Sequence, residues 1–243
     1  MRTAISILLA VVAIGCGDDD GSTSNIIDGS PDAPTVDSGV CGSDFEYQIE
    51  VFDWADDVAV LASTGAPATV TLTEVGNDSN TSTVAPNGRA ILCLSDDTSQ
   101  VRFESAAHKT RIEVVHRSAY EDFLELESAE SYRVYLLDQA DLDALSGDAA
   151  STDDAHVLID ARGDTGVSVS LSVAADPTKI GAAPGPFSAG TTTTATETVF
   201  AFTNAQAGSD VTWTGGALCT DANTIPAPAD TVIGTLVYCY FGP

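Results

Sequence analysis
The sequence predicts an all-β protein: two antiparallel β-sandwiches in tandem, behind an N-terminal targeting segment and a disordered acidic tether. Three observations carry this. From Cys41 onward the chain breaks into short runs of apolar and polar residues divided by turn residues, the pattern of sandwich strands. The runs form two sets with matching apolar positions, their offset drifting from 99 residues (Val70 to Val169) to 110 (Val101 to Val211). Residues 17–40, by contrast, are Gly, Ser, Asp and Pro with few apolar side chains, too little to offset the entropy of ordering.

At the N-terminus, Arg2 precedes an apolar run from Ile5 to Ile14 that only Ser6 interrupts, and Ala13-Ile14-Gly15-Cys16 closes it with small residues. Charge, short apolar stretch and small-residue cleavage site make a secretory signal, and the run is too short to span a bilayer. The Ala-Ile-Gly-Cys ending resembles the lipobox of bacterial lipoproteins. That resemblance implies a signal peptide over residues 1–15, cleavage before Cys16, and a diacylglyceryl group on the Cys16 thiol. Two or three acyl chains hold a protein stably where one does not. The membrane is therefore the first expected partner, reached through lipid. The expected location is the cell envelope, on the periplasmic or outer face of a bacterial membrane, with the outer membrane favoured. Residues 16–40 follow as lipidated Cys and linker, with six aspartates and no basic residue, hence self-repelling and extended.

There are five cysteines, and an odd number in an exported chain needs an explanation. Lipidation removes Cys16 and leaves two pairs, each inside one strand set: Cys41 with Cys93, and Cys219 with Cys239. Export places them where disulfides persist. The second pair closes a loop of about twenty residues, which the chain-entropy model values at about 3 kcal/mol. A zinc site lacks both a C-x-x-C pair and a histidine at ligand spacing.

The first set reads as strands over 46–52, 68–75, 89–94, 100–104 and 110–115, with Asn87-Gly88 as a turn. The second reads as strands over 156–160, 167–173, 197–202, 210–213 and 232–240. Valine and leucine alternate with serine over Val167–Val173. Val70 and Leu72 match Val169 and Leu171. Ala90–Leu94 matches Thr198–Phe202, and Val101 and Phe103 match Val211 and Trp213, as a tandem duplication requires. Between the sets, Asp138 caps a short helix over 139–146, with Leu142 and Leu145 inward and Gly147 as its stop. The aromatic-rich stretch from Tyr120 to Leu136 supplies a further buried face. The expected domains are therefore 41–137 and 154–243, joined by helix and connector over 138–153.

The alternating strand at Val70, the Asn87-Gly88 turn, the strand after it and Val101-Arg-Phe103 resemble the carboxypeptidase regulatory-like, transthyretin-like sandwich. Gly215-Gly-Ala-Leu-Cys219 with Thr231–Cys239 is similar to the end of such domains in lipoproteins of Gram-negative bacteria. The resemblance covers roughly residues 45–115 and 155–241. It implies a transthyretin-like or immunoglobulin-like fold and an accessory role, and brings no catalytic residues. Asp96-Asp97-Thr98-Ser99 stands where the family has a Gly-rich turn.

The formal charge is −27; loss of Arg2 leaves eight basic against 36 acidic residues. Nucleic acid and anionic lipid headgroups need positive surface, so neither is an expected partner. Asp53, Asp56 and Asp57 form one acidic cluster, and Asp138, Asp141, Asp143 and Asp148 another. The second begins D-x-D but lacks the third oxygen residue and the Gly of an EF-hand loop, and no metal or cofactor is assigned to either. There is no G-x-S-x-G, H-E-x-x-H, Walker loop or dinucleotide fingerprint. His116 and His156 read as strand-end residues. Trp54, flanked by Asp53 and Asp56, reads as an exposed ligand-binding side chain, Trp213 as core. Tyr238 and Tyr240 complete the aromatics available to a sugar platform. Asn77-Asp-Ser79 and Asn80-Thr-Ser82 read as a polar loop.

The expected function is a non-catalytic structural or binding module of the envelope, with an envelope protein or a glycan as partner. The alternative is a carbohydrate- or peptide-binding accessory subunit, and an exported hydrolase comes third. Trp54 meeting tyrosines in a concave patch favours the alternative. His108 or His116 meeting a serine and a buried aspartate favours the hydrolase.

Overall fold
Alternate burial turns the sequence pattern into layers. Strand β1 (Phe45–Asp53) buries Phe45, Tyr47, Ile49, Val51 and Asp53 and leaves the residues between them half-buried, the period-two signature of a sheet with one covered face. A computed structural model describes residues 41–62, 68–208, 210–215 and 224–239, and these fall in one compact unit. The side chains of Leu61, 210–215 and 224–226 are not described.

The first set continues with β2 (Val70–Glu74), β3 (Asn77–Thr83), β4 (Arg89–Leu94), β5 (Thr98–Ser105), β6 (Thr110–His116), helix α1 (Arg117–Leu126) and β7 (Tyr132–Leu136). Helix α2 (Gln139–Ser146) follows. The second set is β8 (Ala155–Gly163), β9 (Val169–Leu171), β10 (Lys179–Gly181), β11 (Phe187–Ala189), β12 (Val199–Ala205), β13 (Asp210–Gly215), β14 (Thr224–Pro226) and β15 (Thr231–Cys239).

Two small sheets, β4-β1-β7 and β14-β13-β9, lie against one nine-stranded sheet of order β11-β10-β12-β8-β15-β6-β5-β2-β3. The two sandwiches are thus fused, because β15 of the second set pairs with β6 of the first. The duplication is visible in the register. Leu72 pairs with Phe103 between β2 and β5, and the matching Leu171 pairs with Trp213 between β9 and β13. Likewise β4 pairs with β1 as β12 pairs with β8, and β7 runs parallel beside β1 as β15 does beside β8.

The equivalent sheets exchange places, however. The β4-β1-β7 group is a separate small sheet, whereas its counterpart β12-β8-β15 lies within the large one. The cores consequently occupy opposite faces of the large sheet. Leu236 and Tyr238 of β15 join the first core with Leu72, Phe103 and Tyr47. Ile233, Val237 and Cys239, on the other face, join the second with Val157, Ile159, Phe200 and Phe202. Side chains of one strand serve both sandwiches.

The structure departs from the sequence reading in four places. Pairing is not wholly antiparallel: β1–β7, β6–β15 and β8–β15 are parallel. Each parallel partner is reached by a long return that carries other strands or helices with it, as parallel pairing requires. The polar loop at 77–82 lies in edge strand β3 (Asn77–Thr83), whose backbone pairs with β2 and whose Asn77 and Asn80 side chains donate to Glu74 of β2, with Asn80 also donating to the Cys93 carbonyl. The stretch after His116 opens with α1, which buries Ala119, Tyr120 and Phe123. Tyr238 is 1 % exposed and belongs to a core.

Helix α2 forms where the sequence places it. Asp138 accepts from the Asp141 amide, Asp141 accepts in return from the Asp138 amide, and Gly147 ends the helix at φ 88°. Asp143 accepts from the Gln139 side chain and the Ala150 amide. These carboxylates therefore serve the helix. No group of three or more metal-ligating side chains occurs among the described residues.

One tyrosine ties α1 to the small sheet. Tyr120 Oη donates to the Gln48 carbonyl at 2.5 Å and accepts from the Gln48 amide at 2.9 Å. Burial pushes its phenol far above the ordinary value, so it stays a donor at every working pH. Tyr120→Phe leaves two backbone groups of β1 without that partner, and a loss of about 2 kcal/mol is expected in urea unfolding.

Candidate functional site
Two constellations stand out, one sealed and one open. The sealed one joins the end of β1 to the β5–β6 turn. His108 Nε2 lies 2.9 Å from Asp53 Oδ2, and His108 Nδ1 lies 3.0 Å from Ser105 Oγ. A proton on Nε2 satisfies all three groups: the ring donates to Asp53, and the Ser105 hydroxyl donates to Nδ1. This is the serine, histidine and buried aspartate that a hydrolase needs, with the ring nitrogens exchanged relative to a protease triad.

Access argues against catalysis. The imidazole is fully buried and the Asp53 side chain is 5 % exposed. A cleft of about 340 Å³ lies alongside, lined by Ala106, Ala107, His108, Lys109, Thr110, Gln139 and Asp230, but Ser105 is not among its walls. Ser105 Oγ also accepts from the Ala107 amide, so the hydroxyl is held within its own turn. The other Asp53 oxygen accepts from the Ala55 amide. The network pins a turn and fixes where Trp54 leaves β1.

The open constellation is a groove of about 300 Å³ beside β7. Its floor is the stretch of the large sheet's first-core face that β4-β1-β7 leaves uncovered, with Arg111 from β6 and Leu158, Asp160 and Arg162 from β8. Trp54, Tyr132, Tyr135 and Phe123 form the near wall. Ala182, Ala183, Ala195, Thr196, Thr198 and Val199 form the far one.

Trp54 stands at the groove but is not exposed as the sequence suggested: it is 9 % accessible. Its ring meets Tyr135 edge-on at 5.8 Å and Phe187 at 5.6 Å. Its amide donates to the Leu136 carbonyl, which draws the ring in over β7. Neighbouring aspartates misled the sequence reading, because Asp53 is itself buried under His108 and turns no charge outward.

Half of the six described arginines line this one groove. Arg111 donates through Nε and Nη2 to Glu113 Oε2, at 2.9 and 2.6 Å, and through Nη1 to the Tyr135 carbonyl. Burial alone would lower its pKa, but Glu113 outweighs that and the guanidinium stays charged. Burial raises the Glu113 carboxyl, and Arg111 opposes the rise. Gly234 makes the pair fit: a Cβ there would collide with Arg111 Nη2 and Glu113 Oε2. Arg162 Nε donates to Asp160 Oδ1 at 2.8 Å, and Thr198 Oγ1 donates to the same oxygen at 2.9 Å. Arg162 also lies over the Phe123 ring. Arg133 stacks 4.2 Å above the Phe52 ring, with Glu50 and Asp57 3.9 and 3.8 Å away. Burial, with the nearby Glu113 and Asp160 charges, raises the Tyr132 phenol well above its ordinary value.

Of the other sites expected from sequence, Cys41 and Cys93 form a disulfide with Cα atoms 5.3 Å apart. Cys239 is disulfide-bonded, while Cys219, Tyr240 and the lipobox with Cys16 lie outside the described residues, as does the Trp213 side chain. His116 Nδ1 lies 3.2 Å from Thr98 Oγ1. The arginines of the groove were missed altogether. Arg162 follows Asp160 by two residues on one strand, a local signal for an oriented pair, but nothing local shows that β6, β7 and β8 converge.

No family model matches the chain, and no curated protein matches it. Among solved structures it is similar to shaft pilin SpaA from Lactobacillus rhamnosus GG in several mutant forms. A single mutant aligns at 9 % identity and TM-score 0.22, over 82 % of this chain and 99 % of that one. The double mutant gives 9 % and 0.22 over 83 % and 100 %, and another single mutant 8 % and 0.22 over 82 % and 99 %.

Proposed function
We propose that the protein is a non-catalytic binding module of the bacterial cell envelope, held to the outer membrane by lipid on Cys16 and presenting its groove to a ligand. The carrying observation is the contrast between the two constellations. The Ser105–His108–Asp53 set is sealed in a turn, whereas the groove opens to solvent between a wall of aromatic rings and oriented guanidinium groups. Concave sites with an apolar wall and a few fixed polar groups are the usual form of a ligand site. The lipobox-like ending, the acidic linker and the Cys41–Cys93 disulfide fit an exported chain raised from a membrane surface. The transthyretin-like kinship belongs to the same reading.

Intact mass of protein extracted from native membranes, alkylated with and without reduction, tests the anchor. The expected product starts at Cys16, carries diacylglycerol and shows no free thiol before reduction. A chain without lipid overturns the anchored module. For catalysis, wild type and Ser105→Ala are expected to hydrolyse p-nitrophenyl acetate at the same background rate. A rate that depends on Ser105 would restore the hydrolase.

A further inference from the structure
We infer that the groove beside β7 binds an acidic saccharide, holding the carboxylate of a uronic acid between Arg162 and Arg133; this rests on the binding-module reading above.

The protein carries a formal charge of −27, yet the groove's lining holds three guanidinium groups and one carboxylate, Asp160; Glu113 pairs with Arg111 at the floor, and Glu50 and Asp57 lie 3.9 and 3.8 Å from Arg133, outside the lining. The −27 field is cut off within about 8 Å at physiological salt, so the groups that face the cavity decide what docks. Arg111 is committed to Glu113 and the Tyr135 carbonyl and acts as floor. Arg162 differs: Asp160 takes its Nε, while the side chain remains 32 % exposed at the groove. Its terminal nitrogens form the fork that matches a carboxylate in two parallel hydrogen bonds. Asp160, itself fixed by Thr198, sets the direction of that fork before any ligand arrives, and such preorganisation lowers the entropy lost on binding. Arg133, 48 % exposed on the Phe52 ring, supplies a second oriented cation at the near rim.

The rest of the lining suits a sugar ring. Thr196 and Thr198 line the far wall, where the Thr198 hydroxyl donates to Asp160 and keeps its lone pairs, and the largely buried Trp54 and Tyr135 rings line the near one. The volume of about 300 Å³ is at the low end for ligand sites, the size of one or two pyranose rings. A neutral sugar would leave the terminal nitrogens of Arg162 with no carboxylate beyond Asp160, so the site discriminates by charge.

The test is calorimetric titration of the lipidated mature chain in detergent with trigalacturonic acid, maltotriose and hexaglutamate. Trigalacturonic acid is expected to bind at least tenfold more tightly than maltotriose or hexaglutamate. Arg162→Gln is expected to weaken it tenfold or more, and Arg102→Gln, on the far side of the sheet from the groove's lining, to leave it unchanged. If Arg162→Gln does not fold, Arg133→Gln carries the test with a smaller loss. Absence of trigalacturonate binding, equal binding of maltotriose, or indifference to both arginine variants overturns the inference. Tighter binding of hexaglutamate than of trigalacturonate overturns the saccharide and keeps a binding module. A missing lipid or a Ser105-dependent hydrolysis overturns the module and leaves this titration to be judged by itself.

Discussion

Replacing Arg111 by methionine is expected to lower the stability of the fold by about 3–5 kcal/mol, the cost of leaving a buried charge without its partner. Glu113 has a side chain 2 % exposed, and its Oε2 takes two donors from Arg111. Its Oε1 has no hydrogen-bond partner, so nothing else there can take the charge. Methionine also withdraws the donor from the Tyr135 carbonyl on β7. The double change Arg111→Met with Glu113→Leu is expected to recover most of the loss, because an apolar pair needs no desolvation. Chemical unfolding midpoints for wild type, the single variant and the double variant measure both effects. A single-variant loss below about 1 kcal/mol would show the pair to be hydrated.

The Cys41–Cys93 disulfide has the second large effect. It joins residues 52 apart in sequence, and the chain-entropy model gives about 4 kcal/mol for a loop of that length. Cys41→Ser with Cys93→Ser is expected to lose about that much, in the same unfolding experiment under oxidising conditions. Wild type kept in reductant should fall to the level of the double variant. Agreement between the two isolates the covalent link, since reductant changes no side-chain volume. A variant that loses stability while wild type ignores reductant assigns the effect to packing of the sulfur atoms.

Strands with strict alternation were readable from sequence to within a residue or two, as with β1, and β4 was readable end to end. So was α2, because Asp138, Asp141 and Gly147 carry the start and stop chemistry in the residues themselves. Helix α1 was not, although Tyr120, Phe123 and Leu124 have helical spacing. Its N-cap position is His116, whose side chain makes no capping bond, so the start signal was absent. Strand β3 contains no apolar residue and is held by backbone pairing to β2 and by Asn77 and Asn80 donating to Glu74, so no hydrophobic alternation announces it. The candidate site lay further out of reach. Asp53 and His108 are 55 residues apart, and Arg111, Arg133 and Arg162 meet only because the two copies share a sheet. Duplication is legible in sequence; the edge along which the copies join is a property of packed surfaces.

The position of β15 has a consequence for how the chain matures. This strand, the last in sequence order among the described residues, lies in the middle of the nine-stranded sheet, parallel to both β6 and β8. A chain that emerges from its N-terminus therefore cannot close that sheet until Cys239 has been made. Until then β6 and β8 are two open edges, each able to recruit the wrong strand. The pairing that finishes the fold also spans more than a hundred residues, from Thr110 to Thr231, and contacts of such separation form slowly. The interval before β15 pairs is when aggregation threatens most.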